Sequence, residues 1–156
     1  MLDRRTFLLS AGAAAATVTL VESATAQNTQ PLAAEYSAEF KSELAKVLQQ
    51  ATPLESGIVL DLPESVDNGE YVPITIDVAS PMTPDDHVES VHLLSTANPR
   101  AQVATFHFTP LSGKARVTSR MRLAQTQDVV VVAMLSGDRV LLTQRLVDVG
   151  VGGCGI

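Results

Sequence analysis

Hydrophobic positions along this chain follow two different periods, and the change falls near residue 57. Phe40, Leu44, Val47 and Leu48 recur at the i, i+4, i+7, i+8 spacing of one helix face, with Glu39, Lys41, Ser42, Lys46 and Gln49 elsewhere. The spacing predicts one amphipathic helix, ended at Thr52-Pro53, that covers one end of a sheet or lies against a partner. From Gly57 onward the period is two. Ile58-Val59-Leu60 reads as a short strand and Asp67-Asn68-Gly69 as a turn. Val72, Ile74, Ile76 and Val78 alternate with Pro73, Thr75 and Asp77, as in a half-buried strand. After breaks at Ser80-Pro81 and Thr83-Pro84-Asp85-Asp86, a strand resumes over 88–95. Asn98-Pro99 breaks the chain again, and 103–109 forms a strand with Ala104, Phe106 and Phe108 on one face.

Residues 111–114 then turn into a strand with Val117, Ser119, Met121 and Leu123 opposite Thr118, Arg120 and Arg122. Residues 129–133 are apolar on both faces, which marks a central strand. Ser136-Gly137-Asp138 is a hairpin turn, and 140–149 is the last strand. About seven short strands with turn signals at this spacing predict a mostly β fold, an immunoglobulin-like antiparallel β-sandwich with an N-terminal helix. The Cys, Trp and Cys of true immunoglobulin domains are missing, so strand count alone carries that expectation. There is no internal repeat, low-complexity tract or second domain.

Composition narrows the picture. At 156 residues, with 46% apolar residues, the chain can bury a core without staples. Aromatics are only 4% and tryptophan is absent, so the core falls to Val, Leu, Ile and Ala, which favours strands. A net charge of -6 and a pI near 4.9 argue against binding nucleic acid or an anionic membrane surface. Residues 1–26 read as a targeting segment. Arg4 and Arg5 open Arg-Arg-Thr-Phe-Leu-Leu-Ser, an alanine-rich apolar run covers 7–21, and Ala24-Thr25-Ala26 places cleavage after Ala26. The paired arginines followed by Thr-Phe-Leu resemble a bacterial twin-arginine signal more than a general secretory one. The run is too short for a lasting membrane span, so the expectation is a periplasmic protein with no membrane attachment after processing, exported folded and carried out with a partner. The expected organisation is signal 1–26, helix plus sandwich 27–149, and a mobile C-terminal arm 150–156.

That arm, Gly150-Val151-Gly152-Gly153-Cys154-Gly155-Ile156, holds the only cysteine. Gly150, Gly152, Gly153 and Gly155 give it little to pack, and five extended residues reach on the order of 15 Å. No Lys, Arg or His adjoins Cys154 in sequence, so activation of its thiol must come from another protein into whose pocket the arm is inserted. One cysteine allows no intrachain disulfide; it serves pairing between chains or thiol chemistry. His87, His92 and His107 lack metal-site spacing, and no phosphate loop, nucleophile elbow or dinucleotide fingerprint occurs, so neither a metal nor a cofactor is expected. Met82 and Met121 read as loop and core fillers.

The Gly-Gly-Cys-Gly ending, the twin-arginine leader and the internal stretches Asp61-Leu62-Pro63-Glu64, Asp67-Asn68-Gly69, Val72-Pro73-Ile74, Ser80-Pro81-Met82-Thr83, Asn98-Pro99 and Val103-Ala104-Thr105-Phe106-His107-Phe108-Thr109-Pro110 together resemble the SoxY family. Its members are the substrate carriers of the periplasmic sulfur-oxidising (Sox) system. The resemblance implies a heterodimer with SoxZ and an immunoglobulin-like sandwich. It implies a thiosulfate-derived sulfur chain attached covalently to Cys154. That chain would be loaded by a haem-containing SoxAX, then presented to SoxB, which hydrolytically releases sulfate, and in some organisms to a sulfane dehydrogenase. The carrier itself would be no enzyme. One departure is that the family pattern ends Gly-Gly-Cys-Gly-Gly, whereas Ile156 stands last here. The competing expectations are a periplasmic assembly module whose cysteine forms an interchain disulfide, and a thiol redox enzyme, which would need a resolving group absent from this sequence.

Overall fold

The computed structural model describes residues 36–153. Helix α1 (Ala38–Leu48) starts where Ser37 accepts the Phe40 amide at 3.2 Å, with Glu39 in the first turn and Lys46 in the last, each sign suited to the helix dipole. It ends four residues before Thr52: Gln49 takes the left-handed conformation, φ 46°, and its N–H closes on the Ala45 carbonyl at 3.1 Å.

Eight strands follow in two sheets. The first sheet has the order β1-β3-β6, built from β1 (Ile58–Asp61), β3 (Val72–Val78) and β6 (Ala115–Met121). The second has the order β2-β8-β7-β4-β5, built from β2 (Ser65–Asn68), β8 (Arg139–Val151), β7 (Gln127–Leu135), β4 (Val88–Ser95) and β5 (Gln102–His107). The mostly β sandwich expected from the alternation is therefore present. Two expectations change. Ser65–Asn68 is a strand, with the turn displaced to Gly69 and Glu70, and it pairs parallel to β8, Ser65 opposite Asp148 and Asn68 opposite Val151. The sandwich is antiparallel everywhere else between its named strands.

Two cores share the central strand β7. Val129, Val131 and Ala133 face the three-stranded sheet, meeting Leu60, Ile74, Ile76, Met121 and Met82 between the layers. Val130 and Val132 face outward and are covered by Phe40 and Leu44 of α1, together with Leu94, Ala101, Val140 and Leu142. Strand β7 is thus apolar on both faces because a sheet lies on one side and a helix on the other. The helix caps the outer face of the five-stranded sheet, pinned by the Tyr36 hydroxyl donating to Asp128 Oδ2 at 2.6 Å and by an edge-on ring contact with Phe40, centroids 5.1 Å apart.

Candidate functional site

The long strand β8 brings the chain from the sandwich core to the end of the molecule that leads to Cys154. Its last regular residue is Val151, so Gly150, expected as the first residue of a mobile arm, continues the strand. The edge strand β2 runs alongside, where the Gly69 N–H donates to the Val151 carbonyl at 2.7 Å. The Leu123 backbone bridges the two segments. Its N–H donates to the Gly69 carbonyl at 2.8 Å, and its carbonyl accepts the Gly153 N–H at 2.8 Å. Leu123 itself is fully buried, which anchors this bridge to the core.

The closeness of these backbones explains the residue types. A Cβ on Gly69 would overlap the Leu123 carbonyl oxygen, and one on Gly153 would overlap the backbone of Gly69 and Glu70. A Cβ on Gly152 would overlap the Ala124 carbonyl. No side chain fits at any of the three without moving backbone.

The loop that receives the glycines is held from below by two side-chain amides. Asn98 Oδ1 accepts the Ala124 N–H at 2.9 Å and the Gln127 Nε2 at 2.8 Å, while Asn98 Nδ2 donates to the Arg122 carbonyl at 2.8 Å. Gln127, 4% exposed, completes the frame: its Oε1 accepts the Ala97 N–H at 2.8 Å, and Nε2 also reaches the Gln125 carbonyl at 3.1 Å. Thr126 ties the same loop to β8 by donating to Asp148 Oδ1 at 2.7 Å and accepting the Val149 N–H at 2.9 Å. In the sequence Asn98 stands out as half of an Asn-Pro pair that breaks the chain and contributes to the family resemblance, and Gln127 is not singled out. A polar residue two positions before an apolar run is the one signal the sequence offers for Gln127.

Of the residues singled out in the sequence, Gly150, Gly152 and Gly153 meet at this end, while Arg4, Arg5, Ala26, Cys154, Gly155 and Ile156 lie outside the described residues. The histidines sit apart from it, on and around β4 and β5. His92 is half-buried on β4, its Nε2 3.1 Å from Ser90 Oγ and its Nδ1 3.2 Å from Thr105 Oγ1. Burial lowers its pKa below the ordinary value near 6.5, and His107 adds to the shift. Asp86, beside His87, is engaged by Arg139 instead. Among the described residues no group of three or more His, Cys, Asp or Glu could hold a metal, and no helix is long and apolar enough to cross a membrane.

Comparison with known proteins bears on this end of the molecule. The family model described as sulfur oxidation protein SoxY matches residues 44–154, a span that begins in α1 and stops on Cys154. No curated protein matches the chain. Among solved structures, the sulfur carrier protein SoxY from Chlorobium limicola f thiosulfatophilum is 28% identical, with a TM-score of 0.59 over 71% of this chain and 96% of that one. Superoxide reductases share the fold at lower identity. The Ignicoccus hospitalis protein (neelaredoxin) is 13% identical with a TM-score of 0.54, covering 60% of this chain and 80% of its own. A crystal structure of a Thermotoga maritima protein described as a superoxide reductase is 17% identical with a TM-score of 0.50, covering 59% and 84%.

Proposed function

Because the chain belongs to the SoxY family of sulfur oxidation proteins, with the carrier role in the Sox system that this entails, we propose that it holds thiosulfate-derived sulfur covalently on Cys154. The observation that carries the reading is that the family match runs to Cys154, the only thiol in the chain. A lone thiol with no activating neighbour in sequence suits a carrier better than an enzyme, since its chemistry is supplied by the proteins that receive it.

Joining the Cys154 thiol to the outer sulfur of thiosulfate forms one S–S bond and releases one proton and two electrons, which the haem-containing SoxAX accepts. Water then cleaves the terminal sulfonate group as sulfate with release of a proton, leaving a persulfide on Cys154; SoxB performs this hydrolysis. A sulfane dehydrogenase, where one exists, acts on the remaining sulfur. The carrier works as a heterodimer with SoxZ in the periplasm, and Arg4 and Arg5 direct its export by the twin-arginine route with cleavage after Ala26.

Intact-mass spectrometry of the protein from cells grown on thiosulfate tests the reading. Reducible adducts on Cys154 in steps of sulfur or thiosulfate are expected, and they disappear in a Cys154→Ser variant that still binds SoxZ. A homogeneous unmodified thiol after incubation with thiosulfate and the loading enzyme would overturn it. A reduction-sensitive dimer of this chain as the active species would point instead to an assembly module.

A further inference from the structure

We propose that the outer face of the three-stranded sheet, at the end carrying Tyr71, Pro73, Arg120 and Arg122, is a docking surface for a carboxylate-rich protein rim. The rim is that of the pocket in which the loading enzyme receives the cysteine. The identity of this partner rests on the carrier reading, while the surface itself rests on the fold.

The two sheets differ in what lies on their outer faces. Phe40 and Leu44 of α1 cover that of the five-stranded sheet. On the three-stranded sheet the outward positions Val59, Asp61, Pro73, Arg116, Thr118 and Arg120 are exposed instead. The register sets Arg116, Thr118 and Arg120 of β6 opposite Asp77, Thr75 and Pro73 of β3. Tyr71 and Arg122 follow directly on the last pair, Val72 with Met121, and both are exposed. Charge is spread unevenly along this face. Asp77 accepts Arg116 Nη1 at 3.2 Å, whereas the guanidinium groups of Arg120 and Arg122 meet no carboxylate among the described residues, although Glu70 precedes Tyr71. In a chain of net charge -6, two exposed arginines without a counter-charge, beside an exposed tyrosine and proline, are a local reversal of sign.

Position and charge together select the occupant. The Gly69 N–H donates to the Val151 carbonyl at 2.7 Å, and the Leu123 N–H to the Gly69 carbonyl at 2.8 Å, so Tyr71 and Arg122 stand beside the point where β8 ends. Cys154 follows three residues after Val151 in the chain, and an enzyme that takes it meets the body at this end. Arginine pairs with carboxylates through two parallel N–H bonds, and arginine and tyrosine are the residue types that anchor protein interfaces. The overall negative charge opposes an extended polyanion such as nucleic acid or an anionic membrane, which leaves a locally acidic protein surface as the fitting occupant. Charges at the edge of such a contact act chiefly on the rate of encounter, and salt screens them.

Arg120→Glu combined with Arg122→Glu, in the full mature chain bound to SoxZ and loaded with thiosulfate by the cognate haem enzyme, tests the proposal. At low ionic strength the second-order rate constant for loading should fall about tenfold or more, and the gap from wild type should close as salt is raised to about 0.5 M. Both side chains are exposed, so SoxZ binding and alkylation of Cys154 by iodoacetamide should be unchanged. Lys41→Glu combined with Lys46→Glu, on the exposed side of α1, alters the net charge equally and should leave loading within about twofold of wild type. An unchanged rate constant in the arginine variant, or an equal fall in the lysine variant, would overturn the docking surface. Loss of SoxZ binding would overturn it as well, by assigning the face to the heterodimer. A wild-type chain that the enzyme never loads removes the carrier reading and, with it, the partner given to this surface.

Discussion

Replacing Gln127 by alanine probes the frame beneath the 122–126 loop, and its cost can be worked from the bonds it removes. Gln127 is 4% exposed and makes three hydrogen bonds, accepting the Ala97 N–H at 2.8 Å and donating to Asn98 Oδ1 at 2.8 Å and the Gln125 carbonyl at 3.1 Å. Each is worth about 1 kcal/mol net, and Ala97 would keep a partly buried donor without its acceptor. Asn98 Oδ1 retains the Ala124 N–H, so the frame is weakened and not abolished. The expected loss is about 2–4 kcal/mol, a large share of the roughly 5–15 kcal/mol of a typical domain. Urea unfolding followed by far-ultraviolet circular dichroism measures it, with an accompanying fall in melting temperature of roughly 10 °C. A Gln127→Glu variant separates bonding from packing: at neutral pH its carboxylate can still accept from Ala97 but cannot donate to Asn98. Burial would raise the carboxyl pKa in the folded state. The sign then follows, with stability present below the unfolded pKa and lost as pH rises through the folded one. A loss under about 0.5 kcal/mol for the alanine variant, the range of ordinary surface substitutions, would refute the account of this frame.

Two further outcomes follow from the fold. Phe40→Ala, at a side chain 1% exposed, should cost about 3–5 kcal/mol and expose Val130 and Val132. Increased binding of a hydrophobic dye with an intact inter-sheet core is the expected signature, and an unchanged urea midpoint would contradict the packing of α1. Because burial and then His107 lower the His92 pKa, the neutral ring is the one the fold favours. Its contribution is present above the ordinary value near 6.5 and is lost as pH falls through the folded value. Wild type should therefore lose more stability between pH 8 and pH 5 than His92→Gln, as read by urea midpoints at the two values, and parallel profiles would count against it.

Much of the sandwich is legible along the chain because period-two burial is a local property. Strands β3 and β4 run over 72–78 and 88–95 as the alternation requires, and Ala104, Phe106 and Phe108 pack on one side of the core. The double-sided apolar run at 129–133 correctly marks the central strand, since α1 supplies the second cover. Strand β2 escapes such reading for a physical reason. Ser65-Val66-Asp67-Asn68 has one apolar residue at a sheet edge, and its pairing is made by backbone groups with residues more than 80 positions away. Strand β6 shows the opposite difficulty: Ser119 falls on the same alternation as Met121 yet is exposed, because burial on this edge strand is confined to its ends at Ala115 and Met121. The expectations for residues 1–26 and for Cys154 rest on motif alone and lie outside the described residues.

The glycines before Cys154 carry the deeper lesson about what a sequence withholds. One property, the absence of a Cβ, has two opposite structural uses: it frees a chain that touches nothing, and it lets a chain touch another backbone closely. Composition alone favours the first, since Gly-Val-Gly-Gly has almost nothing to pack. The deciding atoms belong to Gly69, Glu70, Leu123 and Ala124, far away in the chain, and only the register of β8 against β2 brings them together. Once Gly153 donates to Leu123 and Leu123 to Gly69, these residues are fixed by long-range backbone pairing, which local pattern cannot report.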